Sequence, residues 1–190
     1  MASLQPDFQA LITRIATALE NQRIRFMLIG GQAVLLHGEP RLTQDIDITL
    51  AATPDALRQI LVVCEMADLA PLPEDPDEFA RTTFVLPAAS LDSGIRVDFI
   101  FSSTPYEAQA IERAVRVRLG DADVPFAAAE DLILHKLFAA RPRDLEDAEG
   151  VIRRKGGQLD WDYIESWAAK FASVPGRETM VDEVRRLRHS

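Results

Sequence analysis

Two aspartates separated by one residue give the strongest chemical signal in the sequence. Asp45 and Asp47 lie in the stretch Asp45-Ile46-Asp47-Ile48-Thr49-Leu50, where polar and apolar residues alternate. That alternation is typical of a strand with one polar and one apolar face, so the carboxylates point the same way with their bases roughly 6.6 Å apart. Such a pair suits Mg²⁺, which takes one or two carboxylates and fills its octahedron with water and phosphate oxygens. Taken alone, the pair would be better explained as charge on an exposed strand edge.

A glycine pair upstream lies between a predicted strand and a predicted helix. The apolar run Phe26-Met27-Leu28-Ile29 predicts a buried strand that Gly30-Gly31 ends, and residues 32–37 look like the first turns of a helix. Glycines at such a turn let backbone N–H groups approach a phosphate, and a helix N-terminus favours anions. By itself, the pair is more simply explained as a tight strand-to-helix turn.

A third carboxylate lies on a second amphipathic strand, predicted over residues 95–101. Alternate apolar residues form one face of it: Ile95, Val97, Phe99 and Phe101. Arg96 and Asp98 share the other face. A carboxylate beside a metal pair can accept a proton from an attacking hydroxyl or bind a second metal ion. A surface ion pair between Arg96 and Asp98 explains the pattern equally well.

In this order the features resemble the nucleotidyltransferase superfamily that includes DNA polymerase beta and the antibiotic-modifying adenylyltransferases. The resemblance rests on Gly30-Gly31, on Arg41-Leu42-Thr43-Gln44-Asp45-Ile46-Asp47-Ile48 and on Arg96-Val97-Asp98-Phe99. The stretch from Gly30 through His37-Gly38 to Asp47 is similar to the bacterial branch that contains the AbiEii-type toxins of type IV toxin–antitoxin systems. Many members carry serine where this chain has Gly31, so a hydroxyl contact to phosphate is missing here.

A second stretch resembles the C-terminal motif of the same family. Lys136 lies on one predicted helix, and Arg143-Asp144-Leu145-Glu146-Asp147 enters the next. By this resemblance, Lys136 meets the triphosphate and Asp144 helps to place the base, the sugar or the metal-bound phosphates. Without it, Asp144 is explained as a helix N-cap. Because Lys136 borders a predicted buried helix face, we expect the aliphatic part of its side chain to be packed and its ammonium to be free.

The resemblance implies transfer of a nucleoside monophosphate from a nucleoside triphosphate (NTP) to a hydroxyl or phosphate, with pyrophosphate leaving. Asp45 and Asp47 would bind two Mg²⁺ ions, roughly 3.5–4 Å apart. Asp98 would bind the catalytic ion and draw the proton from the acceptor. The remaining expected nucleotide-binding residues are Gly30, Gly31, Arg41, Thr43, Lys136 and Asp144.

The acceptor and the function class stay open at this point. The AbiEii-like branch implies a toxin that acts on tRNA, with an antitoxin protein as partner. An antibiotic or small-molecule adenylyltransferase would share the chemistry, and the net charge of −9 suits a cationic drug better than RNA. The basic run Arg185-Arg186-Leu187-Arg188 points weakly the other way. A third class is a non-catalytic interaction protein of the same fold, against which the three carboxylates argue.

The elements that must position these residues predict an α/β fold in two parts. We predict a mixed sheet flanked by helices over residues 1–127, the nucleotidyltransferase core, and a helical bundle over 128–190 that closes the nucleotide cleft. Within the first part, the patterns indicate helices at 7–21, 53–69 and 105–113, an exposed loop around 71–78, and strands at 81–86, 115–119 and 124–126. In the second, they indicate helices at 128–141, 144–154, 160–171 and 177–188.

Composition further limits the functional classes and the cellular location that the sequence allows. The 190 residues suffice for one ordinary domain with a small helical appendage, and the 30 acidic and 21 basic side chains argue against sequence-blind nucleic-acid binding. The single cysteine, Cys64, excludes an intramolecular disulfide and fits a reducing compartment. No apolar run approaches the roughly 20 residues needed to cross a membrane, and the N-terminus lacks the features of a signal peptide. We therefore predict a cytoplasmic protein without a membrane partner.

Overall fold

The computed structural model describes residues 6–39 and 42–189, which fall into two units. One unit comprises Met1–Gln32 with Leu42–Ala127, and the other comprises Ala33–Arg41 with Ala128–Ser190. The linear division of the sequence did not anticipate that residues 33–39 group with the C-terminal helices. The reason is close packing at two glycines: a Cβ on Gly38 would lie 3.0 Å from the Val151 side chain, and one on Gly150 would lie 3.3 Å from that of Glu39.

In the described part of the first unit, seven strands form one mixed sheet in the order β3-β4-β5-β2-β1-β7-β6. β2 pairs with β5 and β1 with β7 in parallel, and the other neighbours are antiparallel. The strands are β1 (Phe26–Leu28), β2 (Asp45–Ala51), β3 (Leu69–Pro71), β4 (Val85–Ser90), β5 (Arg96–Ser102), β6 (Val115–Leu119) and β7 (Ala122–Phe126).

Helices flank this sheet and make up most of the second unit, as predicted. Those in the first unit are α1 (Pro6–Asn21), α3 (Leu57–Met66), α4 (Pro76–Thr83) and α5 (Pro105–Arg113), and α2 (Gly30–His37) begins there. Those in the second unit are α6 (Ala129–Ala139), α7 (Pro142–Lys155), α8 (Trp161–Phe171) and α9 (Met180–Arg188). The predicted α/β class with C-terminal helices is confirmed. Among the described residues, no helix combines the length and the apolar character that spanning a membrane requires.

The alternation of apolar and polar residues determines which face of β2 and of β5 is buried. Ile46, Ile48 and Leu50 are at most 1% exposed, and Val97 and Phe99 are fully buried. Each buried side chain of this size contributes about 1.5–3 kcal/mol. A slip of one residue would exchange these side chains for aspartates in the core, so burial holds the register and keeps the carboxylates on the open face.

The sequence-based prediction was wrong between residues 67 and 86. The helix predicted to reach Leu69 ends at Met66, and part of the expected loop is strand β3 and helix α4. Asp75 is the N-cap of α4, where its carboxylate accepts hydrogen bonds from the backbone N–H groups of Asp77 and Glu78 at 3.1 and 3.0 Å. Because α4 occupies residues 76–83, the strand predicted at 81–86 begins only at Val85.

Cys64 is a buried packing residue of α3. Burial raises the pKa of its thiol to about 12, so the thiol stays protonated at neutral pH. The sulfur therefore serves as a small apolar side chain rather than as a nucleophile, as its apolar surroundings in the sequence predict.

Candidate functional site

The three candidate aspartates lie side by side on β2 and β5. In the parallel pairing of these strands, Asp47 is opposite Asp98 and Asp45 is opposite Arg96. Neighbouring strands are about 4.8 Å apart and partners across a pair share a face. The sheet thus presents three carboxylates and one guanidinium on one patch, and all three aspartates are partly exposed.

Gly30 lies directly against Asp47. A Cβ on Gly30 would come within 1.9 Å of Asp47 Oδ2, and the backbone of Gly30 has a φ of +60°. Just before it, the N–H of Ile29 donates to the carbonyl of Asp47 at 2.9 Å. Glycine is therefore required here twice over, for its left-handed conformation and for the space that the carboxylate occupies. Gly31 is the second residue of α2, so both glycines belong to the helix start rather than to a preceding turn.

Asp45 is held from two directions. The hydroxyl of Thr43 donates to Asp45 Oδ1 at 3.1 Å, which orients the carboxylate. The amide of Gln32, a residue only 2% exposed, donates to the Asp45 carbonyl at 3.3 Å. Thr43, expected to bind nucleotide, thus contacts a candidate metal ligand in the structure. The supporting role of Gln32 was missed, although its place just after the glycine pair was a usable signal.

Asp98 is engaged by its neighbour on the same strand. Arg96 Nε donates to Asp98 Oδ1 at 2.9 Å, with Arg96 54% and Asp98 19% exposed. The ion pair that the sequence left as an alternative is therefore present. It does not replace the other interpretation, because Asp98 also stands beside Asp47 in the strand register.

The donor set fits Mg²⁺ when part of the coordination comes from the substrate. Within the described residues, no group of three or more His, Cys, Asp or Glu side chains is arranged to hold a metal ion unaided. Mg²⁺ does not need such a group, because it commonly uses one or two carboxylates together with water and substrate phosphates. Asp45 and Asp47 supply the carboxylates, and Gly30 leaves the room at Asp47 that a larger residue would fill.

Replacing Gly30 with alanine tests this close approach. We expect Gly30→Ala to displace the Asp47 carboxylate and to lower any Mg²⁺-dependent activity at least about tenfold, because misplaced catalytic groups act poorly. The matched control is Gly120→Ala, whose φ is +56° but whose Cβ would meet nothing within 4 Å. Both variants carry the backbone cost of about 1–2 kcal/mol, and the clash with Asp47 adds to it in Gly30→Ala, so activity is compared per folded protein. Equal activity of the two variants would contradict the proposed importance of the contact with Asp47.

Lys136 forms a buried ion cluster in the second unit. Its ammonium lies 2.6 Å from Asp144 Oδ1 and 2.9 Å from Asp147 Oδ2, and the three side chains are 9%, 13% and 6% exposed. The expectation of a free ammonium was wrong. Two charge-assisted hydrogen bonds hold it between the carboxylates. The other oxygen of Asp144, Oδ2, is buried and has no hydrogen-bond partner among the described residues.

The turn between α6 and α7 brings this cluster together. Ala140 ends α6 in the left-handed conformation with a φ of 54°, and Pro142 begins α7. Asp144 is consequently a residue of the first turn and not the N-cap, which is Arg141. Asp147 was not among the candidate residues predicted from the sequence. Its i,i+3 spacing from Asp144 on a helix was the signal for a shared face.

The candidate residues are thus divided between the two units. Asp45, Asp47 and Asp98 lie in the first unit, together with Gly30, Gly31 and Thr43. Lys136 and Asp144 lie in the second. Arg41, expected to bind the triphosphate, lies outside the described residues. The roles of all these residues in binding and catalysis stay predictions.

Solved structures with the same fold include two of the antibiotic-resistance factor ANT(2'')-Ia. The solution structure of that protein has a TM-score of 0.63 at 14% identity, covering 92% of this chain and 98% of that one. Its crystal structure in complex with adenylyl-2''-tobramycin has a TM-score of 0.51 at 18% identity, covering 96% and 98%. A putative nucleotidyltransferase from H. pylori has a TM-score of 0.53 at 16% identity, covering 98% and 95%. At these identities the likeness shows the fold.

The sequence itself carries the family assignment. No curated protein sequence matches the chain. The family described as "Nucleotidyltransferase of unknown function (DUF6036)" matches residues 7–186, which is nearly the whole chain. This protein therefore belongs to that nucleotidyltransferase family.

Proposed function

We propose that the protein is a Mg²⁺-dependent nucleotidyltransferase that moves a nucleoside monophosphate from an NTP to an acceptor hydroxyl or phosphate. The observation that carries the proposal is the pairing of β2 with β5, which sets Asp47 beside Asp98 and leaves Asp45 two residues away on the same face. The order of glycine pair, Asp-x-Asp strand and third acidic strand in one sheet supports it. So does membership of a nucleotidyltransferase family.

Each residue has a distinct part in this proposal. Asp45 and Asp47 would hold the two Mg²⁺ ions, oriented by Thr43 and by the space at Gly30. Bound Mg²⁺ would neutralise triphosphate charge and stabilise the charge that develops on the leaving pyrophosphate. Asp98 accepts the proton of the acceptor hydroxyl while that oxygen attacks the α-phosphorus and the bond to the β-phosphate breaks.

Further nucleotide contacts in this proposal come from Lys136 and Asp144. Lys136 shares its ammonium with the triphosphate, as the resemblance to the C-terminal motif implies. Asp144 has unused acceptor capacity in its buried Oδ2, which suits a ribose hydroxyl or a base amino group. Backbone N–H groups at the start of α2 and Arg41 complete the predicted binding of the phosphates.

For the acceptor we infer tRNA, in a toxin–antitoxin pair, because of the likeness of residues 30–47 to AbiEii-type toxins. A cationic small molecule is the second candidate. It is favoured by the net charge of −9, which repels the phosphates of RNA. It also agrees with the fold shared with ANT(2'')-Ia, whose crystal structure contains adenylyl-2''-tobramycin.

The test is incubation of the protein with Mg²⁺ and each α-labelled NTP, offered total cellular RNA in one reaction and tobramycin in another. We expect label to pass to one acceptor with release of pyrophosphate. Asp98→Ala is the informative variant, because loss of the proton acceptor should lower transfer by about 10²-fold or more while NTP affinity changes little. No transfer from any NTP, together with no Mg²⁺-dependent NTP binding, would identify a non-catalytic member of the family.

A further inference from the structure

Arg96 is the one cationic side chain on the four-residue patch of β2 and β5. It stands opposite Asp45 in the register, two residues before Asp98, and its guanidinium donates to Asp98 Oδ1 at 2.9 Å. Adjacent like charges on one sheet face repel each other. In the structure, Arg96 therefore serves as an internal counter-ion for Asp98.

The same ion pair occupies the oxygen that the proposed reaction needs. A carboxylate oxygen that accepts a hydrogen bond from a guanidinium is less available to a metal ion, because the guanidinium occupies one of its acceptor positions and repels the approaching cation. Asp98 can therefore either stay bound to Arg96 or act on the acceptor through Oδ1. The ion pair at 2.9 Å sets the guanidinium in competition with any metal ion that approaches Oδ1.

Arg96 also has a second environment within reach of its own side chain. It lines an open cavity of about 760 Å³ with Leu72, Phe79, Pro87 and the carboxylates of Glu74 and Glu78. Pro87 is the β4 partner of Asp98 in the sheet, which places the cavity beside that aspartate. A guanidinium that leaves Asp98 would meet apolar surface for its stem and negative charge for its head.

We propose that Arg96 is a positioning residue with two states. While the metal site is empty, its guanidinium holds Asp98. When divalent cation and NTP bind, the guanidinium leaves Asp98 and turns toward the acidic cavity. This inference rests on the proposed function. It adds a residue to the site and predicts that metal affinity is set partly by a competing internal cation. Because Arg96 is half exposed, the pair is screened by solvent, and a modest change in affinity is expected rather than a switch of many orders.

The experiment is calorimetric titration with Mn²⁺ of protein that holds an NTP analogue with a non-cleavable α–β bridge, so that the substrate phosphates are present without turnover. Arg96→Gln should bind Mn²⁺ about twofold to fivefold more tightly than wild type, because the competing cation is gone. Arg96→Lys should lie between the two, since a lysine keeps the charge but not the planar guanidinium. The matched control is Arg118→Gln, which removes an equal charge from a surface pair with Asp123 at 3.4 Å on the edge strand.

Three outcomes separate the possibilities. Tighter binding by Arg96→Gln than by Arg118→Gln supports the proposal. Equal binding by these two variants overturns it and makes Arg96–Asp98 a surface pair. If wild type and Asp45→Asn bind Mn²⁺ equally weakly, the metal site of the proposed function fails instead. Arg96→Lys keeps the comparison decisive if Arg96→Gln does not fold.

Discussion

Asparagine in place of Asp45 or Asp47 is expected to lower the rate of transfer about 10³-fold or more. This corresponds to roughly 4 kcal/mol of lost transition-state stabilisation. The neutral amide cannot balance the charge of Mg²⁺. It can keep the shape of the carboxylate, so the Thr43 hydrogen bond to Oδ1 of residue 45 is retained. The fold should therefore survive, and removal of one of three neighbouring negative charges should raise the melting temperature slightly.

Single-turnover transfer and Mn²⁺ titration measure this effect, with thermal melting as the check on folding. The matched control is Asp121→Asn, which makes the same chemical change at an exposed side chain of the β6–β7 hairpin. That variant should behave as wild type in both assays. Near-normal turnover of either Asp45→Asn or Asp47→Asn would mean that the metal assignment is wrong.

Much of this site could be predicted from local sequence patterns. Period-two alternation identified β2 and β5 and placed Asp45, Asp47 and Asp98 on their polar faces, and burial in the structure confirms both faces. The pairing of the strands could not be predicted in this way. β3 and β4 lie between them in the chain, yet β5 is the sheet neighbour of β2. Such adjacency depends on packing of the whole sheet rather than on any short segment.

Two other features were not predicted from the sequence, for different reasons. Gly30 looked like a generic turn residue, whereas its contact with the Asp47 carboxylate joins residues far apart in the chain. In α4, the capping signal of Asp75 and Pro76 was present but was outweighed by the prolines and charges around it. Prolines at the first helical position are compatible with helices. The pattern at 71–86 was therefore readable in principle.

The environment of Lys136 is the most consequential correction to the sequence-based expectation. The position of Lys136 beside an apolar helix face predicted a free ammonium. In the structure, the chain turns at Ala140, and Asp144 and Asp147 of α7 bind that ammonium. The cluster carries one positive and two negative charges and is almost fully buried. Removing the cation from a buried ion pair costs about 3–5 kcal/mol, so substitution here affects stability as well as any nucleotide contact.

Lys136→Ala is accordingly expected to destabilise the second unit by about 3–5 kcal/mol and, if the proposed triphosphate contact is made, to weaken NTP·Mg²⁺ binding at least about tenfold. Unfolding of this unit can be followed separately. Both tryptophans of the chain, Trp161 and Trp167, lie on α8, so tryptophan fluorescence in urea reports on the second unit. Arg153→Ala, which removes an exposed cation of α7 paired with Glu39 at 3.7 Å, is the control for loss of one positive charge.

The two roles of Lys136 are separated by removing its partners as well. In the triple variant Lys136→Met, Asp144→Asn, Asp147→Asn, the buried charges disappear together, so no uncompensated charge is left and the variant should be more stable than Lys136→Ala. Lys136→Arg should recover part of the stability that Lys136→Ala loses, because arginine keeps the positive charge in a side chain of different shape. Asp144→Asn, Asp147→Asn alone serves as the background, since it retains the lysine without its carboxylates. If the triple variant regains stability but binds NTP at least about tenfold more weakly than this background, Lys136 contacts the triphosphate. If the two bind NTP equally, the lysine is a structural counter-ion for Asp144 and Asp147, and the nucleotide must be held by the residues of the first unit and by Arg41.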